Sequence, residues 1–325
     1  MSSKSISMWT LIAIAICIGV CFHWPALFSI AQESDKAKAT TEDDSALVAL
    51  GTNSNREIPE SSGLARSKFV EDAIWTLNDS GNGNQLYLLK HDGKMLAKLK
   101  LGTAKNLDWE AMTRFEMDDR SYLMVGDVGD NAKNRKSCQL LLVPEPDVSK
   151  ELGDKPIEKS SQPIEFNFTY EDKAKNCEAI AVDTIGNQIW LVEKVYYNAR
   201  QKEPPGIYVL PLPVKKPDAP LVAKRIGDFP IRNVTGMDFS PDGKYLIIRN
   251  YINAHLYTRT GDQTWQDVVK NTKPKAVVLP LQRQGEAVCF SADSKSLIIT
   301  SELVRQMIWQ VGLEQYFPKT ETEEK

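Results

Sequence analysis

Carboxylates recur in this chain at two kinds of position, and their gathering is the feature that could do chemistry. Leu107-Asp-Trp-Glu-Ala-Met-Thr113 places Glu110 at the opening of a short apolar run, and a second run closes at Gly126-Asp-Val-Gly-Asp-Asn131. The same pairing returns four times. Openings carry Glu60, Asp108, Glu110, Glu178 and Glu286, with Thr235 in the remaining repeat. Closings carry Asp79, Asp127, Glu193 and Glu302, beside Lys194 and Arg249, and Asp130 follows on the next loop. Carboxylates brought together must be ion-paired, partly protonated or holding a cation. Oxygen ligands without His or Cys select Ca2+ or Mg2+ over zinc or copper. The candidate ligands are therefore Glu60, Glu110, Asp127, Asp130, Glu178 and Glu286, with Ca2+ as the expected ion. Lys194 and Arg249 are the candidate catalytic groups, placed to steady developing negative charge. Capping of a turn by backbone N–H groups explains any one of these acids as well, and Asp127 to Asn131 reads equally as an Asx-turn.

The elements that must position these residues form a repeat. Positions 60, 110, 178, 235 and 286 are 50, 68, 57 and 51 residues apart. A period near fifty made of short strands indicates sheet blades around an axis. Asn78-Asp-Ser-Gly81, His91-Asp-Gly-Lys94 and Ser240-Pro-Asp-Gly243 supply the turns. Counting strands predicts an all-β, single propeller of five four-stranded blades, with six the alternative. The last blade lacks a fourth strand, and Ala46 to Leu50 lacks a partner. Pairing it with Met307 to Val311 closes the ring and removes two exposed edges. The polar stretch Asp147 to Gln162 reads as a loop, and no window outside the leader sustains a helical period. Strand direction alternates within a blade, so first-strand openings and second-strand closings share one mouth of the channel. Trp109 lies between two of the acids, where it would stack on a ligand or plug the channel. Trp75, Trp190 and Trp309 read as core.

Residues 1–31 read as a signal peptide or an N-terminal membrane anchor, since Lys4 precedes the uncharged run Met8 to Phe22. Residues 32–44 read as a disordered linker, 45–315 as the propeller and 316–325 as a charged tail. Either form of the leader exports the body to the periplasm, the medium or the membrane surface. Export permits one disulfide among Cys138, Cys177 and Cys289. Cys138 and Cys177 fall on the same face of neighbouring blades, so a bridge is expected there, worth about 3–4 kcal/mol. Three unpaired thiols are the alternative. His23, His91 and His255 are isolated, which argues against a zinc site. A net charge of −3 gives no basic stripe for nucleic acid.

Several of these stretches resemble an exported bacterial β-propeller family that is mostly uncharacterised. The likeness runs through Leu77-Asn-Asp-Ser-Gly81, Asp108-Trp-Glu110, Gly126-Asp-Val-Gly-Asp-Asn131, Pro144-Glu-Pro146, Cys177-Glu-Ala-Ile180, Glu193-Lys194, Thr235-Gly236, Arg249-Asn-Tyr251 and Gln284-Gly-Glu286. It spans nearly the whole body and departs at Cys177, where a polar residue is expected, and at Asn250, where Thr is more familiar. A broader fold-level likeness reaches phytase-like, esterase-like and lactonase-like propellers, which implies Ca2+ at one mouth and transfers no activity. Two functions follow as expectations. One is a Ca2+-dependent hydrolase of a small phosphoester or ester. The other is a non-catalytic, monomeric module that binds a protein or an envelope polymer through the acidic mouth. The absence of a nucleophile–histidine pair keeps the second in play.

Overall fold

The computed structural model describes residues 47–197, 202–213 and 215–318. The leader, the linker, Ala46 and the tail beyond 318 lie outside the described residues. Short apolar runs ending at turn residues give strands of four to nine residues. The first antiparallel unit contains β2 (Ser61–Arg66), β3 (Ala73–Asn78), β4 (Gln85–Lys90) and β5 (Met95–Lys100). The second contains β6 (Trp109–Met117), β7 (Arg120–Asp127), β8 (Cys138–Pro144) and, after β9 (Ile157–Ser160), β10 (Ile164–Tyr170). The third contains β11 (Cys177–Asp183), β12 (Gln188–Glu193), β13 (Gly206–Pro211) and β14 (Leu221–Asp228). In the fourth, β15 (Val234–Phe239), β16 (Tyr245–Asn250) and β17 (Asn253–Thr258) precede helix α1 (Trp265–Asn271) and β18 (Lys275–Val278). The fifth is β19 (Gly285–Phe290), β20 (Ser296–Ser301) and β21 (Gln306–Gly312), completed by β1 (Leu47–Asn53).

The first strands pack against one another cyclically, β2 on β6, β6 on β11, β11 on β15, β15 on β19 and β19 on β2. The fold is thus an all-β propeller. Between neighbouring units lie apolar layers, exemplified by Trp75, Leu88, Val125 and Leu141 in one and by Trp190, Val192, Met237 and Ile248 in another. Each layer forms because successive strand residues point to opposite faces and both faces of an inner sheet are covered.

Three features modify the sequence reading. The stretch expected to be a loop contains β9, which pairs in parallel with β5 of the preceding unit. β10 likewise pairs in parallel with β14, so the second and third units share one eight-stranded sheet. Both pairings cover outer edges that would otherwise present bare N–H and C=O groups. Helix α1 interrupts the fourth unit and starts at Thr264, whose side chain accepts the Asp267 N–H. Trp109 is fully buried between the first two units, where its indole donates to the Lys105 carbonyl at 3.1 Å. It neither stacks over the mouth nor plugs the channel. Among the described residues no helix is long and apolar enough to cross a membrane.

Closure is made as the missing strand requires. β1 runs antiparallel to β21, pairing Leu47 with Val311 and Asn53 with Gln306, with a bulge between Ala49 and Gly51. At the bulge Gly51 lies directly on the backbone of Asp92, and a Cβ there would overlap it. Gly51→Ala is expected to destabilise the protein by about 1–3 kcal/mol, as overpacking does. Thermal unfolding checks this, with Val48→Ala at the exposed edge as the neutral comparison.

Candidate functional site: an acidic channel mouth

Every first strand carries one extra residue near its start. In the pairing with the second strand the register slips between Ser61 and Gly63, Trp109 and Ala111, Cys177 and Ala179, Val234 and Gly236, and Gly285 and Val288. The displaced residues are Ser62, Glu110, Glu178, Thr235 and, with Ala287, Glu286. A bulge leaves its extra residue out of the ladder and re-aims the side chain. Glycine or alanine follows each one, because the neighbouring first strand passes close by. A Cβ on Gly63 would lie 2.7 Å from the Met112 nitrogen, and one on Gly236 would lie 2.6 Å from the Glu286 carbonyl. These five side chains form the inner ring of the mouth.

Within that ring Glu110, Glu178 and Glu286 offer carboxylate oxygens all within 4.8 Å of one another, and each is at most 4% exposed. Ser62 holds the arc together. Its hydroxyl lies 2.7 Å from the Glu110 carbonyl, 3.4 Å from the Glu110 carboxylate and 3.3 Å from the Glu286 carboxylate. Thr235 instead turns its hydroxyl to the Gly285 carbonyl at 3.2 Å. Lys194 reaches in from the end of β12. Its Nζ pairs with Glu178 and stands 3.9 Å from Glu286, beneath the rings of Tyr251 and Tyr196 at 4.8 and 5.5 Å. Three carboxylates thus face one ammonium. A second group, Asp79, Asp108 and Glu110, has equally close oxygens and shares Glu110 with the first.

Burial dominates the electrostatics. It raises Glu178 above the ordinary carboxylate range, with the pull of Lys194 set against the repulsion of Glu286. Glu110 is raised well above that range by burial, then by Glu178, Asp79 and Glu286. Burial and Glu286 push Glu302 up to about 9, and Gln284 donates to it at 2.7 Å. Asp108 rises through burial and Asp79. Burial alone would lower Lys194, but Glu178 and Glu286 reverse this and raise it, so it stays charged.

Of the candidate ligands, the fold brings Glu110, Glu178 and Glu286 together and leaves three apart. Glu60 precedes the β2 bulge by two residues, sits half-buried on the rim and accepts from Asn82. The position equivalent to Glu110 is Ser62, which sequence reading passed over. Asp127 is tied to Arg135 at 2.6 Å and accepts the Leu107 N–H at 3.2 Å. Asp130 accepts the Arg135 N–H at 2.7 Å. Both acids build the loop after β7, as turn chemistry alone would have them do. Glu193 turns to Lys133 and Lys175, at 2.8 and 3.8 Å. Of the candidate catalytic cations, Lys194 stands in the ring and Arg249 does not. Arg249 is 1% exposed and donates to the Ala287 and Asn250 carbonyls at 2.9 and 3.3 Å and to the Gln282 side chain at 3.2 Å. Burial pulls it down to about 9. It holds β16 against the fifth unit, with its donors spent on that task. Cys138 and Cys177 stand as separate buried thiols in place of the expected bridge. The Cys177 Sγ contacts the Ala179 carbonyl of its own strand at 3.4 Å. The small residue after each ring position was the available signal for Ser62. Tyr251 follows from its place after the closing of β16, but no spacing marks it.

No family model matches this chain, and no curated protein matches it. Among solved structures, a glucose dehydrogenase is similar at 12% identity, with 82% of this chain and 99% of that one covered and a TM-score of 0.46. A gluconolactonase from Xanthomonas campestris is 11% identical, with 82% and 89% covered and a TM-score of 0.41. The soluble aldose sugar dehydrogenase of Escherichia coli is 11% identical, with 82% and 99% covered and a TM-score of 0.43. At these values the likeness carries no statement about activity or substrate.

The raised Glu302 has a consequence for stability in chelator. The folded state holds its proton up to about pH 9, while an unfolded glutamate releases it near the ordinary 4.5. The folded form is therefore favoured at low pH, and this advantage is lost as pH rises from about 4.5 to about 9. Glu302→Gln is expected to flatten that decline, adding on the order of 1–2 kcal/mol at pH 9 and little at pH 4. Melting curves across this range check it.

Proposed function

We propose that the acidic mouth binds a divalent cation of the hard, oxygen-preferring kind, Ca2+, and that the protein hydrolyses a small ester or phosphoester there. Glu110 carries the reading. It is 3% exposed, belongs to both acidic groups and, among the described residues, has no cation within 4 Å and takes only the long contact from Ser62. A buried carboxylate so placed must be protonated or must face a cation. Glu110, Glu178 and Glu286 would hold the ion, with Asp79 and Asp108 adjoining. With all three ring acids ionised against Lys194, two negative charges remain, which suits a divalent ion. A bound cation would polarise a substrate oxygen and lower the pKa of water.

The residues of the chain have their own parts. Lys194 keeps its charge and is aimed at the carboxylates, where it would also attract an anionic substrate group. Tyr196 and Tyr251 cover it and limit water on that side. Glu178, ion-paired with Lys194, would hold the ion and keep that ammonium fixed beside it. Export of the body and a monomeric state belong to the same proposal. A second reading rests on the rim, where Leu107, Tyr197, Ile252 and Leu281 are 63%, 68%, 67% and 93% exposed. Apolar side chains around an acidic mouth favour docking of a protein or an envelope polymer.

Calorimetry with millimolar Ca2+ and with chelator tests the cation. Ca2+ is expected to raise the melting temperature, since a ligand at a hundred times its Kd adds about 2.7 kcal/mol. Protons should be released, because Glu110 must ionise to bind. Glu110→Gln should abolish most of the shift, and Glu158→Gln in β9 should leave it unchanged. Lactone and phosphoester panels, with and without chelator, then test turnover. Identical melting curves would defeat the cation site, and a Ca2+ shift without turnover would leave the docking reading.

A further inference from the structure

The opposite end of the channel holds a cavity of about 420 Å³, built where the first strands finish. Arg66 ends β2, Phe115 lies near the end of β6, Asp183 ends β11 and Phe239 ends β15. A strand of about six residues spans roughly 20 Å, so this cavity is remote from the acidic mouth. Its volume falls in the range of small-molecule sites, about 300–1,000 Å³.

Arg66 and Arg114 line the cavity and Arg259 lies just outside, and the three differ in what they have left to give. Arg114 donates to Ser121 at 2.8 Å, pairs with Glu116 and stands 3.6 Å from Glu145. Arg259, against the face of Trp265, donates to the Gly243 carbonyl at 2.9 Å. Arg66 is acted on by Arg114, Asp238 and Glu116 only through space, with no side-chain hydrogen bond or ion pair among the described residues. It is half-buried, and burial, then Arg114, lowers its pKa. Five donors in a planar fork therefore line a cavity without a protein acceptor.

The acids nearby are already engaged. Asp238 accepts the Phe290 N–H at 2.9 Å and the Thr113 hydroxyl at 3.4 Å, and burial pushes it up to about 7. Asp183 accepts the Ile185 and Gly186 N–H groups of its own turn at 3.0 and 2.9 Å. Asp242 accepts the Ser240 hydroxyl at 2.6 Å and the Lys244 N–H at 3.1 Å. Acids this close penalise a dianion more than a monoanion. Phe239 and Trp265, with ring centroids 5.1 Å apart, and the 55%-exposed Ile185 form an apolar wall.

We propose that this second mouth binds a small monocarboxylate with an apolar body, its carboxylate on Arg66 and its body against Phe239, Trp265 and Ile185. The site is independent of the acidic mouth and of the cation proposed there.

Titration calorimetry of the full chain with benzoate, phenyl phosphate and benzyl alcohol tests it. Benzoate is expected to bind saturably, phenyl phosphate several-fold more weakly and benzyl alcohol not measurably. Arg66→Met should weaken benzoate by about tenfold or more, as loss of a charged hydrogen-bond donor does. Ile185→Asp, a change at an exposed position, should weaken it without threatening the fold, and decides the matter if Arg66→Met does not fold. No saturable benzoate binding, or equal affinity in a folded Arg66→Met and in Ile185→Asp, would overturn the proposal. Phenyl phosphate binding as tightly as benzoate would overturn the assignment to a monocarboxylate.

Discussion

The close approach of five first strands around one axis is the constraint on which the rest of the molecule depends. Backbones that near leave no room for a Cβ at Gly63 or Gly236, and only alanine follows Glu110, Glu178 and Glu286. Each strand meets the constraint with a bulge, and each bulge turns one side chain out of the ladder. Packing geometry and site geometry are therefore one solution. Ser62, Glu110, Glu178, Thr235 and Glu286 face the mouth because the strands that carry them cannot pair regularly where they converge.

Convergence has an electrostatic cost that the fold meets unevenly. Glu178 has Lys194, Asp127 has Arg135 and Glu193 has two lysines. Each of these acids is paired at short range, as buried charges generally are. Glu110 and Glu302 have no such cation among the described residues, and burial raises both. Unequal environments around similar side chains separate their protonation states, which is how neighbouring acids come to hold different roles. The two mouths contrast sharply. One has acids in excess of cations, whereas the other has satisfied acids and one unengaged guanidinium.

Much of this was legible in the chain. Turn residues and apolar runs mark nearly every strand, and the partnerless Ala46 to Leu50 segment points to Met307 to Val311, which β1 pairs with from Leu47 onward. Glu110, Glu178 and Glu286 followed from repeat position alone. Glu60 misled because the repeat was aligned on acidity, whereas the fold aligns on the bulge and its small successor. Arg249 misled because a cation at a strand end looks the same whether it faces solvent or the carbonyls of the next unit. The parallel pairings of β9 and β10 left no local signature, since they join segments far apart in sequence. Arg66 was invisible for a different reason, as its interest lies in partners it does not have.

The bond between β1 and β21 also orders events in time. It joins the first described strand to the last, pairing Leu47 with Val311, so most of the chain must exist before it can form. Contacts of such sequence separation carry a large loop-closure entropy and slow folding. Glu286 belongs to the same final unit, and Ser62 at the other end reaches across to it. The acidic ring is thus completed only when the circle is. Ser62 and the three acids therefore come from the first, second, third and fifth units, and no contiguous part of the fold that lacks the fifth contains Glu286.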